Sequence, residues 1–125
     1  MALILIVDDA AFTRRMIRKA LVAVGHETLE ASHGKEGLDM VKNHNPDCIF
    51  IDLLMPIMDG FAVLEALRDR KSKIPVFVIS ADIQEGVRQR CLELGASGFI
   101  NKPPKEEELH QTLEKALGKA QEMLS

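Results

Sequence analysis

The chain has 125 residues, of which 46% are hydrophobic, and its 19 acidic and 16 basic residues give a formal net charge of −3. This length suits one domain with a substantial core, and the apolar content is too high for a disordered chain. The mixed, slightly acidic charge does not favour nucleic-acid binding, and no apolar run approaches the ~20 residues that a membrane span needs. Cys48 and Cys91 lie in apolar patterns typical of buried, reduced thiols, so we expect a cytoplasmic protein.

Strand and helix patterns alternate five times along the chain. Continuous apolar runs predict buried strands, and apolar residues at helical spacing, followed by glycine or proline, predict the helices. The predicted strands are Leu3–Val7, 27–30, Cys48–Ile51, 76–79 and 99–101. The predicted helices occupy 12–24, 32–44, a segment after Asp59, 82–94 and a segment from about residue 105.

This (βα)5 pattern predicts an α/β fold. Right-handed crossovers place helices on both faces of a five-stranded parallel sheet, which is a doubly wound architecture. We expect residues 1–125 to form one domain, with no room for an output domain after the fifth helix. The four histidines have no metal-ligand spacing, and we expect all of them on the surface or in loops.

Polar residues follow four of the apolar runs. They are the pair Asp8 and Asp9, then Asp52, Ser80 and Lys102. The carboxyl ends of parallel strands meet at one edge, where open α/β sheets bind their ligands. We therefore expect one small site with three carboxylates, a hydroxyl and an ammonium. Three crowded acids repel one another without a compensating cation, and carboxylate oxygens suit Mg²⁺, with Mn²⁺ as a second candidate.

The same residue types suit phosphoryl chemistry. Asp52 is a competent nucleophile, because carboxylates form aspartyl-phosphate intermediates. Lys102 offers a point charge for a phosphoryl oxygen, and Ser80 can donate a hydrogen bond to another. Together they predict a site that accepts a phosphoryl group on Asp52, in which the protein supplies positioning and electrostatic stabilisation.

Some of these acids also have local structural interpretations. Asp8 and Asp9 could cap the first helix, although the presence of Asp52 and Lys102 disfavours that role. Asp59 is interpreted as an N-cap rather than a metal ligand. Asp82, three residues before Glu85, matches a capping box and stays ambiguous between a cap and a functional residue.

Four segments resemble the receiver domain of response regulators, in particular the stand-alone chemotaxis-regulator type. They are LILIVDDAAFTRRMIRKAL, IFIDLLMPIMDGFAVLEALR, IPVFVISA and GASGFINKP. Each motif alone is weak, but their joint order and spacing are specific, and the resemblance extends over the whole chain. It implies a flavodoxin-like strand order of 2-1-3-4-5.

The resemblance also implies roles for the site residues. Asp52 would be the phosphoacceptor, and Ser80 and Lys102 would contact the phosphoryl oxygens. Asp8, Asp9 and Asp52 would hold Mg²⁺, Asp9 directly and Asp8 largely through water. The backbone carbonyl of Leu54 would be a further metal ligand.

A conformational switch is implied as well. Ser80 would move toward the phosphoryl group and Phe99 would turn inward, so that the surface of the fourth helix, fifth strand and fifth helix changes shape. The bond between Lys102 and Pro103 resembles the family's cis peptide. Leu54 and Asp82 would modulate hydrolysis, and the apolar Leu54 predicts a slow loss of the phosphoryl group.

The implied function is a two-component signalling switch that a histidine kinase phosphorylates. Its implied partners are that kinase, an unidentified target with flagellar or chemotaxis machinery as candidates, and a dedicated phosphatase. The chain would not be an enzyme beyond its own phosphorylation and slow autodephosphorylation. The alternatives are a phosphate sink without output, an aspartyl-nucleophile phosphatase and a flavodoxin-like cofactor binder. The last is disfavoured because Asp8 and Asp9 would repel a bound phosphate.

Overall fold

Strands and helices alternate throughout the computed structural model, which describes residues 2–81 and 83–124, with the backbone alone for 119–124. The strands are β1 (Leu3–Val7), β2 (Glu27–Ala31), β3 (Cys48–Ile51), β4 (Val76–Ser80) and β5 (Gly98–Asn101). The helices are α1 (Ala11–Val22), α2 (Gly34–His44), α3 (Gly60–Asp69), α4 (Glu85–Glu93) and α5 (Glu106–Leu124). The predicted strands are confirmed to within one residue at each end.

All five strands are parallel and form one sheet in the order β2-β1-β3-β4-β5. The expected doubly wound order is therefore confirmed. In the register between β1 and β3, Val7 pairs with Ile51, so the residues that follow them, Asp8 and Asp52, leave the sheet side by side. Hydrogen bonds from the Asp52 amide to the Val7 carbonyl (2.9 Å) and from the Asp8 amide to the Ala31 carbonyl (3.0 Å) extend the ladder to these two residues.

Two apolar clusters lie between the sheet and its helices. One joins the sheet to α2, α3 and α4 and includes Leu38, Leu64 and Cys91. The other joins it to α1 and α5 and includes Leu21 and Leu113. Both faces of β1 and β3 are thus buried, which explains why these strands are apolar throughout rather than alternating.

The two cysteines are free and buried, as predicted. Burial raises the pKa of Cys48 to about 12, so its sulfur stays a neutral thiol at physiological pH. Such a group packs as a small apolar side chain. None of the helices in the described part of the chain combines the length and the apolar character that crossing a bilayer requires.

The helix N-termini differ in part from the predictions. Asp59 caps α3 by accepting the Ala62 amide at 2.9 Å, as predicted. The N-cap of α1 is Ala10, so the alternative capping role of Asp8 and Asp9 is wrong. Helix α4 begins at Glu85 with Gln84 as its N-cap, three residues later than predicted, while Asp82 lies outside the described residues.

Two histidines form hydrogen bonds with backbone groups. The Nδ1 of His33 accepts the Glu36 amide at 3.2 Å and caps α2. The Nε2 of His110 lies 2.8 Å from the Ala20 carbonyl and joins α5 to α1. His33 lies in the loop before α2, as expected. The partly buried His110 contradicts the expectation that all four histidines are surface or loop residues, because imidazole also forms hydrogen bonds where two helices meet.

Candidate functional site

Three carboxylates converge at the carboxyl edge of the sheet. Asp8 and Asp9 follow β1 and Asp52 follows the neighbouring β3, and one oxygen from each lies within 4.8 Å of the others. Asp8 and Asp52 are only 2% and 7% exposed, whereas Asp9 is exposed. The topology alone produces this cluster, because strands β1 and β3 are adjacent although they are far apart in the sequence.

Lys102 reaches the cluster from the other side. Its Nζ lies 3.0 Å from Asp8 Oδ2 and 3.3 Å from Asp52 Oδ2. The Lys102 amide donates to the Ser80 carbonyl at 3.0 Å, and the Lys102–Pro103 peptide is cis. Ser80, the last residue of β4, is 8% exposed. The structure thus places the predicted ammonium against two of the three carboxylates and brings Ser80 to the same edge.

Burial and neighbouring charges shift the pKa values of Asp52 and Lys102. Burial raises the pKa of Asp52, and the nearby Asp8 charge raises it further, although Lys102 acts in the opposite direction. Burial on its own would lower the pKa of Lys102, but the hydrogen bond and charge of Asp8 and the charge of Asp52 outweigh that effect and raise it. The ammonium is therefore firmly protonated, while Asp52 holds its negative charge at some cost.

This arrangement fits a divalent cation. Three carboxylates face one ammonium, which leaves an excess of negative charge at the site. The donors are all oxygens, which is the ligand set that Mg²⁺ and Mn²⁺ prefer. A flavin phosphate would instead meet the exposed Asp9 carboxylate and be repelled.

The loop from Asp52 to Gly60 is closed by contacts that the sequence analysis did not predict. A Cβ on Gly60 would stand 2.5 Å from the Asp52 carbonyl oxygen. The Gly60 amide donates to the Leu53 carbonyl at 2.9 Å. Gly34 approaches the Met58 carbonyl as closely and donates to it at 3.0 Å. Glycine has a low helix propensity. Its presence in the first turns of α2 and α3 is therefore the feature of the sequence that could have indicated these close backbone contacts.

A tight turn lies in the middle of this loop. The Met58 amide donates to the Pro56 carbonyl at 2.7 Å, and Ile57 between them has φ 69°. A turn of this kind with a positive φ is strained, and for a β-branched residue more so. The Ile57 side chain is 76% exposed, so packing does not explain why it is there.

The sequence also predicts roles for Leu54, Phe99 and Asp82. Leu54, two residues after Asp52, has a side chain that is 80% exposed. Phe99 is partly buried against the cluster of α2, α3 and α4, and the guanidinium carbon of Arg88 lies 4.9 Å from its ring centroid. Asp82, a predicted modulator of hydrolysis, lies outside the described residues.

Comparisons with known proteins agree with this architecture. The family model of the response regulator receiver domain matches residues 4–114. Chemotaxis protein CheY of Bacillus subtilis is 36% identical over 115 residues, which cover 91% of this chain and 96% of that protein. The solved structure of chemotaxis protein CheY4 of Vibrio cholerae has a TM-score of 0.87 and 30% identity, covering 93% of this chain and 98% of that one.

Other relatives are longer. The chain spans about half or less of several curated relatives that it matches. It covers 47% of a probable transcriptional regulator ycf27 of Porphyridium aerugineum, at 34% identity over 91% of this chain. It covers 28% of a protein-glutamate methylesterase/protein-glutamine glutaminase of Treponema pallidum, at 40% identity over 86% of this chain. The family model covers most of the chain, and the chain belongs to the response regulator receiver domains, the phosphorylation-activated switches of two-component signalling.

Proposed function

We propose that this chain accepts a phosphoryl group from a histidine kinase on Asp52, with Mg²⁺ as the cofactor, and responds by changing its partner-binding surface. The observation that carries the proposal is the pair of contacts from Lys102 to Asp8 and Asp52 within a cluster of three carboxylates. A buried nucleophile, a fixed ammonium and a set of oxygen ligands are the parts that phosphoryl transfer to a carboxylate needs.

The transfer itself exchanges one bond for another. A carboxylate oxygen of Asp52 forms a bond to phosphorus as the bond from phosphorus to the donor imidazole nitrogen breaks, and that nitrogen keeps the electron pair. Lys102, already 3.3 Å from Asp52 Oδ2, can donate to a phosphoryl oxygen after the transfer. The Ser80 hydroxyl can donate to a second oxygen. Neither residue changes its protonation state during the step.

Mg²⁺, when bound, supplies positive charge that offsets the charge on the phosphoryl oxygens. Asp8, Asp9 and Asp52 would hold it, and the backbone carbonyl of Leu54 would add a further oxygen. The close approach of Gly60 to the Asp52 carbonyl fixes the backbone that leads from the nucleophile to Leu54. The loop thereby presents the acceptor and this carbonyl as one unit.

The output would pass through Ser80 and Phe99. Ser80 ends β4 and pairs in register with Asn101 of β5, so a shift of Ser80 toward the phosphoryl group pulls on both strands. Phe99 lies on β5 beside α4, and a change in its position alters the surface of α4, β5 and α5. This couples a local charge to a packing element with two arrangements.

Phosphorylation by a small-molecule donor tests the acceptor. Incubation with acetyl phosphate and Mg²⁺ should add one phosphoryl group to the intact protein, detected by mass spectrometry, and EDTA should prevent it. Asp52→Asn should abolish the addition. Asp39→Asn removes an exposed carboxylate of α2 outside the site and should leave it intact. Phosphorylation of Asp52→Asn at the normal rate would contradict the proposal.

The lifetime of the phosphoryl group tests the role of Leu54. Its exposed apolar side chain cannot hydrogen-bond an attacking water, so we expect slow autodephosphorylation and use of a dedicated phosphatase. Leu54→Asn should accelerate the decay several-fold, measured by loss of the phosphorylated mass after donor removal. Equal decay rates in both proteins would exclude Leu54 as the cause.

The proposed function is signalling and not general catalysis. A chain that turned over generic phosphomonoesters would instead be an aspartyl-nucleophile phosphatase. The similarity to the Bacillus subtilis chemotaxis protein over nearly its whole length favours a chemotaxis pathway. A pull-down with the beryllofluoride-trapped protein against the unmodified form should capture a state-specific target, and capture of the kinase alone would indicate a phosphate sink.

A further inference from the structure

The loop that carries Asp8 and Asp9 is held by an arginine of the following helix. The Nη1 of Arg14, on α1, donates a hydrogen bond to the backbone carbonyl of Asp8 at 2.5 Å. Within the loop, the Ala10 amide donates to Asp8 Oδ1 at 2.8 Å. Asp8 is therefore fixed at its side chain by its own loop and at its carbonyl by Arg14.

Arg14 is itself held in place. Its Nε lies 3.3 Å from Glu30 Oε1, and the Arg14 side chain is only 18% exposed. Glu30 belongs to β2 and pairs in register with Ile6 of β1, so its backbone is part of the sheet. Because the guanidinium is a rigid plane, a contact to Glu30 at Nε sets the direction in which Nη1 points. The planar group thus bridges the sheet and the loop.

The contact to the Asp8 carbonyl also bears on the neighbouring Asp9. The carbonyl of Asp8 and the amide of Asp9 share one planar peptide unit, so a bond that fixes the carbonyl also restricts the position of the Asp9 Cα, from which the side chain extends. Asp9 is exposed, and packing does not orient it. Glu30 offsets part of the charge of Arg14, which limits the repulsion between the guanidinium and a cation at the carboxylates.

We propose that Arg14 is a positioning residue for the divalent cation. It orients the peptide between Asp8 and Asp9 so that both carboxylates face the site. This inference rests on the proposed function, in which the carboxylates bind Mg²⁺. Supporting groups of this kind, one step removed from the ligands, typically change metal affinity by about 10- to 100-fold when they are lost.

Arg18 offers a matched control on the same helix. It lies one turn after Arg14, and its Nη1 contacts the other carboxylate oxygen of Glu30 at 2.8 Å. The structure gives it no contact with the Asp8 carbonyl among the described residues. Substitution of either arginine removes one positive charge and one contact to Glu30, but only the Arg14 variant frees the loop.

The sign of the effect separates positioning from simple electrostatics. If Arg14 acted only through its charge, Arg14→Ala would tighten Mg²⁺ binding, because a nearby positive charge would be gone. Positioning predicts the opposite, a dissociation constant about 10-fold higher for Arg14→Ala. Arg14→Lys keeps the charge but loses the planar fork, and it should weaken binding by a similar factor.

The experiment is a calorimetric titration of each protein with MgCl₂ in the absence of phosphodonor. Arg14→Ala and Arg14→Lys should bind more weakly than the unsubstituted protein, while Arg18→Ala should stay within about twofold of it. Amide hydrogen exchange of metal-free protein gives a second measurement. Protection of the Ala10 amide should fall in Arg14→Ala and persist in Arg18→Ala. If Arg14→Ala does not fold, Arg14→Gln replaces it with the same expectations.

Each outcome has a distinct meaning. Equal or tighter Mg²⁺ binding by both Arg14 variants would overturn the positioning role and leave the metal site standing. Equal weakening in Arg14→Ala and Arg18→Ala would also overturn it, because the cause would then be the contact to Glu30. No saturable binding by the unsubstituted protein would overturn the proposed metal site and the role of Arg14 together.

Discussion

Asp52 carries its carboxylate in surroundings that disfavour the charge. Its pKa is raised above the usual 3.8 by burial and by Asp8, so the folded chain binds this proton more tightly than the unfolded chain does. The stabilisation that follows is present at acid pH and is lost as the pH rises through the raised pKa. At neutral pH the ionised Asp52 therefore lowers the free energy of unfolding, while its contact with Lys102 limits the loss.

We accordingly expect Asp52→Asn to stabilise the metal-free protein at pH 7. The melting temperature, followed by circular dichroism, should rise by roughly 2–5 °C, because a neutral amide replaces a disfavoured charge. The difference in melting temperature between Asp52→Asn and the unsubstituted protein should become smaller at acid pH, where Asp52 itself is protonated. Asp39→Asn, on the exposed side of α2, should change little. A lower melting temperature for Asp52→Asn at pH 7 would contradict this assignment.

The position of the Phe99 ring depends in part on Arg88. The guanidinium lies 4.9 Å from the ring centroid, and an exposed contact of this type contributes about 0.5–1 kcal/mol. In the proposed switch, an inward turn of Phe99 would leave no hydroxyl buried without a hydrogen bond, because phenylalanine has none.

Arg88→Ala should therefore let the Phe99 ring exchange more between arrangements. Relaxation-dispersion NMR of the ring should show larger exchange contributions than in the unsubstituted protein. Arg90→Ala is the matched control, because Arg90 lies over Phe61 at 4.0 Å instead. Identical Phe99 dispersion in all three proteins would show that Arg88 does not hold the ring.

At the scale of elements, the loop between β3 and α3 depends on glycine for its geometry. Gly60→Ala should destabilise the fold by about 1–3 kcal/mol, because its Cβ would press on the Asp52 carbonyl and on Leu53. Thermal unfolding should show the loss, and phosphorylation by acetyl phosphate should slow as the acceptor is displaced.

Gly86→Ala serves as the control for Gly60→Ala. A Cβ on Gly86 meets nothing within 4 Å, and alanine suits a helix better than glycine, so stability should rise by up to about 1 kcal/mol. If both alanine variants were equally stable, the close approach of Gly60 to the Asp52 carbonyl would not be a constraint.

Elements with a strong apolar pattern were predicted well. The strands β1 and β3 are buried on both faces, so their apolar runs have clear ends and the polar residues that follow are easily recognised. Helix α4 was placed less well. Among its described residues only Cys91 is buried, and no side chain caps its N-terminus, so the pattern contained little information about where it begins.

The sequence predicts those residues of the site that the strand order of the sheet brings together. Asp8, Asp9, Asp52 and Lys102 meet because each follows a strand of a parallel sheet, and strand ends can be recognised in the sequence. The contacts of Arg14, Gly34 and Gly60 were not predictable in this way. They depend on the distance between backbones that approach one another only after the sheet and helices have packed.

At the scale of the whole molecule, metal binding should stabilise the fold. A cation that binds only the folded chain raises the free energy of unfolding by about 1.4 kcal/mol for each tenfold excess over its dissociation constant. The melting temperature should therefore increase with MgCl₂ concentration and return to its initial value in EDTA.

Asp9→Asn provides a clean test of this linkage. Asp9 is exposed, so its substitution should leave the melting temperature of the metal-free protein nearly unchanged. The increase with MgCl₂ should become much smaller, since one carboxylate ligand is gone. A full response to MgCl₂ in Asp9→Asn would show that the cation binds elsewhere.

The site is distributed over three strands that enter the sheet from distant parts of the chain. Asp8 follows β1, Asp52 follows the adjacent β3, and Lys102 follows β5 at the sheet edge. During synthesis, the acids exist before the lysine that faces them, and a chain lacking β5 has an acceptor without its ammonium. Under the proposed function, phosphorylation of Asp52 therefore depends on the folding of the chain as far as β5. Under the proposed function, a copy that lacks β5 should therefore be a poor substrate for the kinase, because Asp52 has no Lys102 beside it.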